Sequence, residues 1–282
     1  MKKVLIFFLI IIFLIAVLSL VLTFNSNLPM GDKIAVVRIE GVLLDSKDII
    51  EELKKYSEDS SIKAIVLRVD SPGGGVAPSQ EIYEEIVKIK AKKKIVVSMG
   101  SVAASGGYYI SCPAHKIVAN AGTLTGSIGV IMEIPNIEGL MQKIGVKAEV
   151  VKSGKHKDIA SMFKTMTPEE KEILQSVLDD VHDQFIKAVA EARGMTFESI
   201  KELADGRIFT GRMAKEAGLV DVLGNLEDAI NLAGEISGIK GKPRVVQAEK
   251  RFHFLDIIRG QFPEEMIKGV LPGIRLKYMM AL

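Results

Sequence analysis

Ala64-Ile65-Val66-Leu67-Arg68-Val69, followed by Asp70-Ser71-Pro72-Gly73-Gly74-Gly75, decides the fold class. The first half is a short apolar run rich in β-branched residues, which marks a strand covered on both faces. The second half is a glycine turn. Residues 78–90 then show helical spacing, with Pro78 in the first turn and Glu81, Glu84 and Glu85 early. Lys94-Ile95-Val96-Val97-Ser98-Met99 repeats the strand pattern, and a small-residue stretch from Gly100 to Gly107 repeats the turn. Upstream, Ile34-Ala35-Val36-Val37-Arg38-Ile39 reads as a strand and residues 48–56 as a helix. Downstream, residues 128–132 and 148–151 read as further strands. Residues 167–194 read as a long helix, opened by Thr167-Pro168-Glu169-Glu170 and closed by Gly194. Strands alternating with helices predict an α/β domain with a largely parallel sheet.

The ends of the chain differ from this core. Residues 4–21 contain Ser19 as their single polar side chain, and extension to Phe24 adds only Thr23. Residues 4–24 as a helix span roughly 30 Å, the thickness of a bilayer's hydrocarbon core. The run is too long for the apolar part of a cleaved leader, and Thr23-Phe24-Asn25-Ser26-Asn27 carries no A-x-A pattern. A single transmembrane anchor is therefore expected, with Lys2 and Lys3 holding the N-terminus in the cytoplasm and the rest of the chain outside. The expected division is stub and anchor over 1–24, a linker over 25–32, a catalytic domain over 33–240, and a basic tail over 241–282 whose role is open.

Composition removes several functions. The net charge is +2, too small for a broad nucleic-acid-binding face, so no nucleic acid is expected as a partner. Trp is absent, which argues against a stacking platform for bases. Cys112 is the sole cysteine, which excludes an intrachain disulfide and a C-x-x-C metal or redox pair. Neither glycine turn reads as a phosphate cradle of the G-x-x-x-x-G-K-[ST] or G-x-G-x-x-G type.

The chemistry is expected where both turns leave the carboxyl edge of the sheet. Ser105, between Ala103-Ala104 and Gly106-Gly107, is unobstructed and lies at a strand-to-helix junction. Backbone N–H groups there can receive an anion, which suits a nucleophile with an adjacent oxyanion donor. The base has several candidates. Ser105-His156-Asp158 is a formal triad, although an Asp two residues from the His orients it poorly on extended chain. Lys155 and Lys157 lie in the same segment. A lysine held in apolar surroundings has its pKa lowered from about 10.4 by as much as ~3–5 units, and then accepts a hydroxyl proton.

The residues also resemble a known family. Asp70-Ser71-Pro72-Gly73-Gly74-Gly75, Ala103-Ala104-Ser105-Gly106-Gly107-Tyr108-Tyr109, Leu124-Thr125-Gly126-Ser127-Ile128-Gly129 and Ser153-Gly154-x-x-Lys157-Asp158 are similar to motifs of the signal peptide peptidase A family, short single-anchor form. Ala204-Asp205-Gly206-Arg207-Ile208-Phe209-Thr210-Gly211 agrees, and the resemblance spans roughly residues 33–224. It implies a Clp-protease/crotonase-like fold of repeated β-β-α units behind one N-terminal transmembrane helix. It implies serine–lysine peptide hydrolysis, with Ser105 as nucleophile, Lys157 as general base and Ser127 orienting the lysine amine. The backbone N–H groups of Gly74 and Gly106 would form the oxyanion hole, with Gly73 shaping the loop. No metal or cofactor is implied. The implied substrates are apolar peptides, cleaved signal peptides left in the membrane, and the implied assembly is a ring-shaped homo-oligomer. Where the related Clp proteases carry a triad histidine, this chain has Val130.

Other residues have plainer expectations. Cys112 is expected in the core, Asp158 in a local pair or cap, Asp205 and Arg207 in a structural pair. Tyr108 and Tyr109 should pack the helix behind Ser105, and His182 should face solvent. Two other readings remain at this stage: a Clp-class protease acting on a stomatin-like membrane protein, and a non-catalytic crotonase-like scaffold.

Overall fold

The computed structural model describes residues 11–15, 17, 32–247 and 277–280. Most of the expected anchor lies outside them. Residues 11–15 and 17 are helical and exposed, and among the described residues no helix is long and apolar enough to cross a membrane.

Ten strands are described. They are β1 (Lys33–Glu40), β2 (Ile62–Ser71), β3 (Gly73–Gly75), β4 (Lys94–Ala104), β5 (Lys116–Ala119), β6 (Leu124–Gly126), β7 (Ile208–Thr210), β8 (Val222–Leu223), β9 (Arg244–Gln247) and β10 (Lys277–Met279). The main sheet runs β7-β6-β4-β2-β1-β9, with β5 beside β4 and β8 beside β5. Its pairings are parallel except β6 with β7. β3 pairs with β10 in a separate antiparallel ribbon.

The apolar runs of β1, β2 and β4 are continuous because both sheet faces are covered. Ala35, Val37, Ile65, Leu67, Ile95 and Val97 point into one core, shared with the helices Lys47–Glu58, Val76–Lys90 and Pro168–Arg193. The alternate residues Ile34, Val36, Ala64, Val66 and Val96 point into a second core against the helix Leu226–Ile236. This is period-two alternation with no polar face.

The long helix follows its sequence signals. Thr167 accepts from the Glu170 N–H, the Glu170 side chain accepts from the Thr167 N–H, and Gly194 ends the helix at φ 64°. Near its end Arg193 is almost fully buried. It donates to Asp221 and to the Gly218 carbonyl, while Asp221 also accepts the Ile117 N–H. Asp221→Ala would strand that guanidinium. A loss of about 3–5 kcal/mol is expected, read from the urea midpoint of the full chain.

Two expected strands do not form. Residues 128–132 and 148–151 carry no strand assignment beyond a single bridge residue at Ile131. Their residue types suit strands, but the short β6 pairs only with β4 and β7, so the chain beyond it leaves the sheet. Leu140, Ile144, Val146, Val150, Val151 and Phe163 are consequently exposed.

Candidate active site

β2 and β4 end side by side and supply the two turns. Gly100 lets β4 pass the Asp70 carboxyl, where a Cβ would sit 2.6 Å from Asp70 Cγ. Asp70 Oδ1 then accepts the Val102 N–H at 3.0 Å. Beyond this point β4 leaves β5 and pairs with β6, matching Ala104 with Gly126. The strand ends at Ala104 and a short helix, Gly106–Ser111, begins immediately, as expected for a strand-to-helix junction.

Ser105 is the residue between them. Its backbone sits at φ 53°, ψ −116°, a conformation costly for a residue with a side chain. Its N–H donates to the Gly126 carbonyl at 2.8 Å, so the structure over-determines it. Its side chain is fully buried, and its Oγ has no hydrogen-bond partner among the described residues. A buried hydroxyl without a partner forfeits about 1–3 kcal/mol. Strain and an unsatisfied hydroxyl on one residue together mark a functional position.

Ser127 follows Gly126 directly, also at positive φ (49°), and donates its N–H to the Arg207 carbonyl at 2.8 Å. The structure therefore brings Ser127 beside the Ser105 junction. Asp205 and Arg207 form the expected pair, with Arg207 Nε and Nη2 at 2.7 and 2.5 Å from the carboxylate. Arg207 thus supports Ser127 through its backbone.

Gly73, Gly74 and Gly106 converge on the other side of Ser105. Gly73 has φ 99°, and a Cβ there would strike the Tyr278 carbonyl oxygen and lie 2.6 Å from the Gly106 nitrogen. A Cβ on Gly106 would fall 3.0 Å from the same oxygen. β3 is clamped by Leu43, whose N–H donates to the Gly73 carbonyl while its own carbonyl accepts the Gly75 N–H. Gly73→Ala is expected to lower stability by about 1–2 kcal/mol from backbone conformation alone. It should also displace residues 277–279. Urea unfolding of the full chain measures the first effect.

Lys157 lies elsewhere in the chain's own architecture. It is exposed in the irregular segment after residue 144, and its ammonium has no partner among the described residues. One chain alone makes no hydrogen bond between it and Ser105. The surrounding segment is held by charge. Asp158 receives Lys152 at 2.5 Å and Lys164 at 3.1 Å, and Lys164 also reaches Glu170 at 2.5 Å. Lys155 pairs with Glu169 at 2.5 Å.

The Lys152 hydrogen bond, aided by Lys164 against partial desolvation, pulls the Asp158 carboxyl down to about 2. Its folded pKa lies below the unfolded value of about 3.9, so its contribution is complete above ~pH 4 and is lost as pH falls toward 2. Hydrogen exchange in residues 150–166 is expected to rise selectively over that window.

Among the described residues no histidine bonds to Ser105. His156 Nε2 faces Glu169 at 3.5 Å. His115 Nδ1 accepts the Ile95 N–H at 3.1 Å, and burial holds its pKa down. His182, expected in solvent, is half-buried with Nε2 unpartnered among the described residues. His253 lies outside the described residues. Cys112 is buried as expected, its thiol donating to the Tyr109 carbonyl, and burial raises its pKa.

Next to Ser105 is an aromatic pocket that sequence reasoning missed. Tyr109 and Phe185 pack against Tyr278, with ring centroids 5.1 Å and 4.6 Å from it, and Tyr83 packs on Tyr109 at 5.0 Å. Tyr108 packs as expected, its hydroxyl donating to the Leu219 carbonyl. Tyr109 instead turns into this pocket. No sequence signal joins residues so far apart; only the aromatic character of each was visible.

Comparison with known proteins places this geometry in context. The family model for "Peptidase family S49" matches residues 88–240, and that for "Clp protease" matches residues 43–121. The chain is 46% identical over 209 residues to "Putative protease slr0021" of Synechocystis sp., covering 73% of this chain and 75% of that one. It is 40% identical over 213 residues to "Putative signal peptide peptidase SppA" of Enterococcus faecium, covering 71% and 62%. It is 40% identical over 220 residues to "Protease 4" of Salmonella typhi, covering 74% of this chain and 35% of the relative.

Proposed function

The chain belongs to peptidase family S49 and is a serine protease, and from that premise we propose a membrane-tethered endopeptidase in which Ser105 and Lys157 form the catalytic dyad. The observation that carries this reading is the Ser105 hydroxyl, buried, strained and unpartnered at the end of β4. It sits beside Ser127 and against the turn bearing Gly73 and Gly74.

In the proposed reaction the Lys157 amine, neutral, takes the Ser105 proton as Oγ attacks a peptide carbonyl. Ser127 holds that amine in line. The oxyanion is received by the Gly74 and Gly106 N–H groups, each worth about 2.7–4 kcal/mol if it behaves as other oxyanion donors do. Lys157 protonates the leaving amine, the carbonyl carbon remains as an ester on Ser105, and water releases it. No metal enters the scheme.

The dyad closes, in this reading, when copies of the chain assemble. Lys157 is exposed on a segment flanked by Val146, Val150, Val151 and Phe163, whose exposure suits contact with a second copy. Assembly would bury the amine beside a neighbour's Ser105, and burial disfavours its charge. The substrates proposed are apolar peptides, signal peptides left in the bilayer, reached because residues 4–24 tether the domain to the membrane surface. The catalytic domain would then lie outside the cytoplasm.

The reading is tested on the full-length protein in detergent with an apolar fluorogenic peptide. The ascending limb of kcat/KM against pH is expected well below the range of a free lysine, about 10.4. A limb near 10, or turnover unaffected by Ser105→Ala, overturns the dyad. Tethering is checked separately: removal of residues 4–24 should release the protein from the membrane fraction.

A further inference from the structure

The two edges of the main sheet carry opposite charge. Along the amino edge the strand order is β9-β1-β2-β4-β5. Arg244, Lys33, Lys94 and Lys116 open β9, β1, β4 and β5, and Lys63 is the second residue of β2. Lys33 pairs with Arg244 and with Ile62, Ala64 pairs with Lys94, and Val96 pairs with Lys116. The five cations therefore follow one slanted line, about 20 Å long at the usual spacing between strands. At the other end β1 and β2 close on the paired acids Glu40 and Asp70.

Little of this positive charge is neutralised. Lys63 reaches Asp32 at 3.5 Å and Lys116 reaches Asp221 at 3.8 Å. Lys33, Lys94 and Arg244 make no ion pair among the described residues. Lys92 and Lys93, in the turn before β4, add to the row. Lys92 is exposed and unpaired among the described residues. Lys93 Nζ donates to the Asp59 and Ile62 carbonyls at 2.7 and 2.6 Å, which satisfies its protons without cancelling its charge. Asp59 is the acid at this edge, and its carboxylate accepts the Ser61 N–H at 2.8 Å. Burial lowers the His115 pKa, and the Lys94 and Lys90 charges lower it further, as a positive local field requires.

The place of the edge along the chain says what covers it. β1 begins at Lys33, and eight residues separate it from the apolar run 4–24. Fully extended, they reach at most about 28 Å. We propose that this amino edge docks on the phosphates of an anionic lipid surface and holds the Ser105 end of the sheet away from the bilayer. The inference rests on the tethered reading, which keeps Lys33 near the headgroups. Exposed charges are screened within about 8 Å at physiological salt, so the edge orients a domain that the tether already retains. β2 runs ten residues from Ile62 to Ser71, where it pairs with Ala103. That length is about 30 Å, the height to which a peptide must rise to meet Ser105.

Lysine acetylation of the full-length protein in vesicles, read by mass spectrometry, tests this. One preparation uses phosphatidylcholine alone and the other phosphatidylcholine mixed with phosphatidylglycerol. Lys63, Lys92 and Lys94 are expected to react at least about threefold more slowly in the anionic vesicles. Salt on the order of 1 M should remove the difference. Lys171, exposed near the far end of the long helix from Arg193, should react equally in both. The double variant Lys92→Glu, Lys94→Glu should still float with both vesicles but show no lipid dependence at Lys63. Equal rates in the two vesicles for a parent that floats with both overturn the docking and leave the tether standing. Labelling that is slow in both means that protein covers the edge, and it also overturns the docking. So does protection of Lys63 that survives the double variant. A parent that floats with neither vesicle removes the tether, and the docking falls with it.

Discussion

Ser105→Ala in the full-length protein is expected to leave a folded chain whose turnover of an apolar fluorogenic peptide falls by about 10⁴-fold or more. The direction follows from what the hydroxyl does in each state. In the folded enzyme without substrate, its Oγ has no partner among the described residues, so its removal deletes no hydrogen bond. The backbone strain at φ 53° stays, because alanine carries the same Cβ. Stability should therefore be unchanged or slightly higher, while covalent catalysis disappears. Circular dichroism with urea unfolding reads stability and the peptide assay reads turnover. Loss of both together would mean that Ser105 is structural. Retention of both would mean that another residue attacks.

Lys157→Ala should give a loss of about 10²-fold to 10⁴-fold, the usual reach of a general base. The informative experiment mixes variants. Ser105→Ala and Lys157→Ala are each expected to be nearly inactive alone. Co-expressed, they should recover a fraction of parental turnover, because a neighbour of each kind can complete one intact site. The structural reason is the exposure of Lys157 together with the absence of any bond to Ser105 within one chain. Recovery absent from a mixed assembly, with both single variants inactive, would place the two groups in one chain. Full activity of Lys157→Ala would remove the lysine from the mechanism. Loss of function in His156→Ala alone would favour the histidine, which faces Glu169 in this structure.

Much of the fold was legible because its signals are local. The runs at residues 34–39, 64–69 and 94–99 appear as β1, β2 and β4, each longer by one to five residues at an end. The helix opened at Thr167 and closed at Gly194 formed because its caps are set by residues three or four positions apart. The reading failed at residues 128–132 and 148–151. There the same residue types predicted strands, but a strand exists only where another strand accepts its hydrogen bonds.

By itself, the sequence determined the parallel α/β core and the placing of Ser105 between a strand and a helix. Apolar periodicity and small residues act on neighbours along the chain, so they can be read in order. Only the tertiary structure decided that Tyr278 lies against Gly74 and that Tyr109 and Phe185 pack on its ring. It also decided that Lys157 is left facing outward. Those outcomes depend on which edges remain open and which surfaces find cover once the sheet is built. Such conditions belong to contacts between distant segments, and no stretch of residues carries them alone.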